Sequence, residues 1–283
     1  MKIIECPRDA MQGLHEFIET DKKVDYINQL LQVGFDSLDM GSFVSPTAIP
    51  QMRDTAEVIK RIDLSNTATK LLTIVGNERG ARAASEFDEI SYLGFPFSIS
   101  DTFQKRNINS TIEDSFHRAE DIMNCCVIKQ KELVVYISMA FGNPYNDPWD
   151  ADIVLEWAHK LHNELGIEII SLSDTIGVAK PETIKYLFDS LIPELPQVEF
   201  GAHLHTTPDM WEEKIHAAVQ SGCERFDGAL KGFGGCPMAK DDLTGNMPTE
   251  NIVSYLNRKK IDINIDSNEL EKSIAMTRNV FPM

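Results

Sequence analysis

Short apolar runs rich in β-branched and aromatic residues recur along the chain. Between them, hydrophobic positions return every three to four residues, so strand-like and helix-like segments alternate without consecutive hairpins. The strand-like runs are 2–5, 36–40, 70–75, 89–95, 133–139, 168–172, 199–204 and 225–229, which makes eight. Helical patterns cover 21–33, 49–62, 112–126, 151–165, 181–192 and 210–220, with two closing helices expected at 251–257 and 267–277. Gly34, Gly166 and Gly222 stand where helices favour a C-terminal glycine, and Pro181 stands at a first turn. Successive strands begin about 20 to 45 residues apart, which is room for a crossover helix and return. Eight such units fit an α/β architecture of the (β/α)8 barrel type better than an open doubly wound sheet, with 1–283 as one domain.

Charge and cysteine content narrow the function classes. Lys and Arg number 27 against 44 Asp and Glu, a formal charge of −17 with no basic run, which excludes a nucleic-acid surface or an anionic membrane as partner. No stretch approaches the ~18 consecutive apolar residues of a membrane span. The five cysteines are odd in number and lack C-x-x-C spacing, against both a disulfide framework and a structural zinc site. With no signal-like start, a reducing cytoplasm is the expected compartment.

A barrel directs attention to the residues just after each strand, because active sites of this fold sit at the strands' C-terminal ends. His203 and His205 lie two apart at such an end, so the pleat puts both imidazoles on one face. They can converge on a divalent cation, or one can be a buried hydrogen-bonding histidine. Asp9 follows the first strand as a carboxylate ligand or a helix cap. Arg8 beside it is a surface cation or an oxyanion stabiliser, and Asp39 could orient Arg8 or a substrate group. Asp174-Thr175 reads equally as a helix-capping pair or as support for the site, and Lys105-Arg106 as a solvated pair or a phosphate contact. The glycine-dense run from Gly228 to Cys236 implies special backbone angles or a mobile flap. Cys236 there is a buried packing residue or an acid–base group, and Gly245-Asn246 is a turn or a source of a metal-binding amide oxygen.

Taken in order, these segments resemble the 3-hydroxy-3-methylglutaryl-CoA lyase family of metal-dependent barrel enzymes. The resemblance rests on Pro7-Arg8-Asp9 with Gln12, Ser42-Phe43-Val44-Ser45-Pro46 through Pro50-Gln51-Met52, and Asn107-Ile108-Asn109. It continues in Asp174-Thr175-Ile176-Gly177-Val178, His203-x-His205, Gly234-Gly235-Cys236-Pro237 and Gly245-Asn246. It implies cleavage of a tertiary 3-hydroxyacyl-CoA to acetyl-CoA and acetoacetate, with Mg²⁺ or Mn²⁺ held by Asp9, His203, His205 and Asn246. Arg8 would stabilise the enolate, Cys236 would deliver a proton to its carbon, and Asp39 or His205 would act as base. Substrate contacts are expected from Arg8, Gln12, Ser42, Lys105, Asn107 and Thr175. The expected partners are an acyl-CoA and a second copy of the chain in a dimer. Departures from the family pattern are Asp39 in place of a Glu, Ser173 in place of a Gly, Thr206 in place of an Asp, and one extra residue between Cys236 and Asn246. Alternatives in the same superfamily are a metal-dependent aldolase or condensing enzyme and a catalytically weak CoA-binding paralogue. A facial-triad iron oxygenase conflicts with the strand–helix alternation.

Overall fold

In the computed structural model, which describes residues 1–235 and 244–281, eight parallel strands close on themselves. They are β1 (Lys2–Glu5), β2 (Ser37–Ser42), β3 (Lys70–Ile74), β4 (Ile90–Ser98), β5 (Glu132–Ser138), β6 (Ile169–Asp174), β7 (Glu199–Thr206) and β8 (Arg225–Gly228). Each pairs with the next, and β8 returns to β1. The (β/α)8 barrel is therefore present, its strands beginning within one residue of the runs read from the sequence. A two-residue strand, β9 (Gly245–Asn246), runs antiparallel to β7 and sets Asn246 opposite His205.

The pleat explains the two interiors of the molecule. Outward residues such as Ile3, Leu38, Leu71, Leu93, Val135, Ile170, Ala202 and Phe226 are buried with the helices in one continuous apolar layer. Inward residues Leu72, Ile74, Tyr92, Val134, Tyr136 and Ile169 form a separate cluster inside the barrel. Because both faces are covered, the strands read as continuous apolar runs rather than alternating ones.

Helix ends follow local chemistry. Ala151–Leu165 appears with the predicted bounds because the Asp150 side chain accepts from the Ile153 N–H and Gly166 takes a left-handed φ of 70°. The expected helix over 49–62 is instead a 3-10 turn, Pro50–Met52, followed by a short helix, Thr55–Ile59. The break is fixed by Thr55, whose hydroxyl donates to the Met52 carbonyl and accepts from the Ser42 N–H. Three short helices escape a periodicity reading: Pro7–Gln12, Glu78–Ala84 and Asp101–Ile108. The final helix, Ser267–Val280, packs against Thr20–Leu30, with Gln29 donating to the Glu269 side chain. Among the described residues no helix is long and apolar enough to cross a membrane.

Candidate active site

The short helix after β1 places the first two site residues. Pro7 needs no N–H partner at a first turn, so the helix starts directly at the strand end and carries Arg8 and Asp9 over the barrel mouth. Arg8 is held as a fork: Nε lies 3.2 and 3.0 Å from the two Asp39 oxygens, Nη2 donates to the same carboxylate, and Nη1 donates to Asp9 at 2.8 Å. Burial pushes the Asp39 carboxyl up to about 6 despite the adjacent guanidinium. For Asp9 burial acts the same way, but Arg8, His203 and His205 outweigh it and hold the carboxyl at about 2. Gln12, one turn on, also donates to Asp9, at 2.8 Å.

β7 supplies the histidines on its inward face. One ligand atom each from Asp9, His203 and His205 lies within 4.8 Å of the others. The β7–β8 register sets Asp227 opposite His203, and its carboxylate bonds His203 Nδ1 at 3.2 Å. Burial opposes protonation of His203, but Asp227 and Asp9 prevail and its pKa is raised. His205 is 4% exposed and neither ring nitrogen has a hydrogen-bond partner. Burial, then the neighbouring His203, push its pKa down to about 4, so it is a neutral imidazole with a lone pair to give. Its main chain is braced by Lys214, whose Nζ donates to the His205 carbonyl and to Asp174, each at 2.7 Å. Asp174 also accepts from the Val178 and Ala179 N–H groups, so it both caps the turn and supports the site.

Asn246 completes the ring from β9. Its Nδ2 donates to Asp9 Oδ2 at 2.7 Å and to the Phe233 carbonyl at 2.9 Å. Gly234, at a φ of 84°, lets the backbone come this close, since a Cβ there would stand 2.6 Å from the Asp9 carbonyl. A second, overlapping group of Cys6, His203 and Asp227 also converges, but burial and the carboxylates around it push the Cys6 thiol well up, which suits a neutral thiol and not a ligand.

Part of this cluster opens on a cavity of about 440 Å³ at the barrel mouth. Arg8, Asp9, Gln12, Asn107, Thr175, His203 and His205 all line it. Four expected site residues, Ser42, Lys105, Asp39 and Asn246, do not. Ser42 turns its hydroxyl to the Ile74 carbonyl and accepts from the Val44 N–H, leaving Val44, Ala48 and Ile49 to face the cavity. Lys105 sits on the exposed side of helix Asp101–Ile108. Phe103, Arg106 and Asn107 share the inner face by their three- and four-residue spacing, and Arg106 stacks on Tyr145 at 4.8 Å. Asp39 is 1% exposed and engaged by Arg8, behind the cavity wall. Cys236 lies outside the described residues. Sequence reasoning missed Asp227 and Lys214. Asp227 was legible in principle, because it has the inward parity of β8 next to the H-x-H strand.

Comparisons with known proteins identify the family and the fold. The profile of the HMGL-like family matches residues 2–276. A cytoplasmic 3-hydroxy-3-methylglutaryl-CoA lyase of Rattus norvegicus is 34% identical, covering 94% of this chain and 77% of its own. The crystal structure of the Bacillus subtilis HMG-CoA lyase superposes with a TM-score of 0.92 at 32% identity, covering 98% of this chain and 92% of that one. An HMG-CoA lyase from Acinetobacter baumannii, in complex with coenzyme A and 3-methylmalate, gives a TM-score of 0.89 at 30% identity over 99% and 90% of the two chains.

Proposed function

The chain belongs to the HMGL-like family, and from that premise we propose that it is a divalent-metal-dependent lyase cleaving 3-hydroxy-3-methylglutaryl-CoA to acetyl-CoA and acetoacetate. The observation that carries the reading is His205, a buried neutral imidazole with both nitrogens unpartnered, set beside Asp9 and His203 under the cavity. A buried imidazole without partners is costly, and a cation is a partner that lone pair fits. Asp9, His203, His205 and Asn246 are the residues that would hold Mg²⁺ or Mn²⁺, Asn246 after turning its amide oxygen inward. His203 is prepared for this by Asp227, which ties up Nδ1 and leaves Nε2 to the cation. When bound, the ion acts as a Lewis acid toward the substrate's hydroxyl and carboxylate oxygens.

The remaining steps fall to side chains. Asp39 and Asp9 engage three of the five N–H donors of Arg8, which leaves two for the thioester oxygen as it becomes an enolate. The proton of the substrate hydroxyl passes to Asp39, which also orients Arg8, or to His205; a neutral imidazole has one lone pair, so His205 accepts the proton only while its hold on the ion is loosened. Gln12, Asn107 and Thr175 contact substrate from the cavity wall, with Arg106 in the place first expected of Lys105. Cys236 is kept as proton donor to the enolate carbon on the strength of its motif. The partner is an acyl-CoA, and a dimer is the proposed assembly. The four described cysteines, Cys6, Cys125, Cys126 and Cys223, are free and buried, which suits the reducing cytoplasm proposed for the protein.

The test is incubation with 3-hydroxy-3-methylglutaryl-CoA and Mg²⁺ or Mn²⁺. Metal-dependent release of acetoacetate is expected, and its absence with metal and substrate both bound would overturn the assignment.

A further inference from the structure

We propose that Glu5 is a positioning residue that clasps both feet of the segment from Leu230 to Thr249 and so holds Asn246 against Asp9. Glu5 is the last residue of β1 and is fully buried. It shares the outward parity of Ile3, so it points away from the cavity and toward the helix layer. One carboxyl oxygen accepts from the Leu230 N–H at 2.9 Å, and the Thr249 hydroxyl donates to the other. Those two partners are 225 and 244 residues away in sequence, and they open and close the segment that bears Asn246.

The surroundings explain why the feet need holding. The chain leaves β8 through a tight turn in which Lys231 takes a left-handed φ of 62°, a costly conformation for a residue with a side chain. Its N–H is in turn held by Glu250 at 3.0 Å. Between the feet, the Ala229 N–H donates to the Met247 carbonyl at 3.0 Å, and Thr249 returns a 3.3 Å bond to Ala229. The stretch from Glu5 to Asp9 therefore grips the segment twice, at its base through Glu5 and at Asn246 through Asp9. Burial pushes the Glu5 carboxyl up to about 8, so it is largely neutral at pH 7; glutamine keeps its shape and an oxygen for the Leu230 N–H, and its amide N–H can bond the Thr249 hydroxyl in the reverse direction, donating to it.

The inference extends the metal reading above, and its test separates the two. Wild type, Glu5→Gln, Glu5→Ala and Thr249→Val are compared by Mn²⁺ calorimetry and, without metal, by amide hydrogen exchange over residues 244–249. Glu5→Gln should keep Mn²⁺ affinity within about threefold. Glu5→Ala and Thr249→Val should lose about 10-fold or more and exchange faster at 244–249. If Glu5→Ala does not fold, Thr249→Val, which keeps the side-chain shape, decides. The clasp is overturned if exchange stays at the wild-type rate in the folded variants that lack the bond, or if Glu5→Gln falls as far as Glu5→Ala. A wild type that binds no Mn²⁺ would remove the metal reading and leave the exchange comparison to judge the clasp.

Discussion

The two halves of the barrel interior are made of different chemistry. Strands β3 to β6 project Leu72, Ile74, Tyr92, Val134, Tyr136 and Ile169 inward as an apolar wall. Across from them, β7, β8 and β2 carry His203, His205, Arg225, Asp227 and Asp39, all buried or nearly so. The charged side runs the depth of the barrel. At the base, Glu199 pairs with Lys2 and accepts from Arg225 at 3.0 Å; above, Arg225 Nε lies 3.9 Å from Asp227, which holds His203. The halves meet where the Tyr136 and His203 rings pack in a T shape, centroids 5.6 Å apart at 80°. All eight strands end at the same mouth, yet the ionisable groups gather on one side of it. The apolar wall lowers the dielectric beside them, which strengthens the Arg8–Asp39 and Asp227–His203 contacts and raises the cost of leaving any of them unpaired.

Breaking the polar half at its ligands should have the largest effect. His205→Ala or His203→Ala should lower Mn²⁺ affinity by more than about 100-fold while the fold persists, as read by calorimetry and circular dichroism. Wild-type binding in both variants would take the site away from β7. Next in size is Arg8→Lys, which keeps a cation but loses the planar fork that spans Asp39 and reaches Asp9. If Arg8 stabilises the enolate, kcat should fall by about 100-fold with KM little changed. A change confined to KM would make it a ground-state anchor.

Legibility in the sequence divides along the same line. The strands were readable because burial on both faces leaves apolar runs that only a covered parallel sheet tolerates. The H-x-H pair and Arg8-Asp9 were readable because strand parity and position at a strand end carry the inference. Helix Pro7–Gln12 was not, since its six residues hold too few turns for a period to show. Ser42 and Lys105 were misplaced for a related reason. Whether a hydroxyl faces a cavity or a neighbouring carbonyl, and which side of an eight-residue helix faces inward, depends on contacts between distant segments. Glu5 and Lys214 act only through such long-range partners, and a single sequence gives no sign of who those partners are; Asp227 differs, because its parity on β8 places it inward beside the H-x-H strand.

Asp227→Asn sharpens the comparison at its centre, with a smaller effect than ligand removal. The amide keeps the volume, but its oxygen no longer draws the Nδ1 proton of His203 by charge. The tautomer and ring orientation that leave Nε2 free are then less firmly set. Mn²⁺ affinity should fall by about 10-fold, and the metal-free protein should lose little stability. A drop in stability as large as the drop in binding would show that the pair mainly supports the barrel.

The smallest effect on the site is expected from the apolar wall. Leu72 is fully buried, sits in the inward cluster and makes no polar contact, so Leu72→Ala removes packing and nothing else. The cavity it leaves should cost about 2–5 kcal/mol of unfolding free energy, measured by chemical denaturation. Mn²⁺ affinity and kcat/KM, measured well below the new midpoint, should stay within about twofold, because the ligands hang from β7, β9 and the helix after β1 and are braced by Asp227 and Lys214. The pattern is the reverse of Asp227→Asn: stability lost and binding kept. If Leu72→Ala instead weakened Mn²⁺ binding in step with stability, the two halves would respond as one cooperative unit. The division of labour drawn between them would then fail.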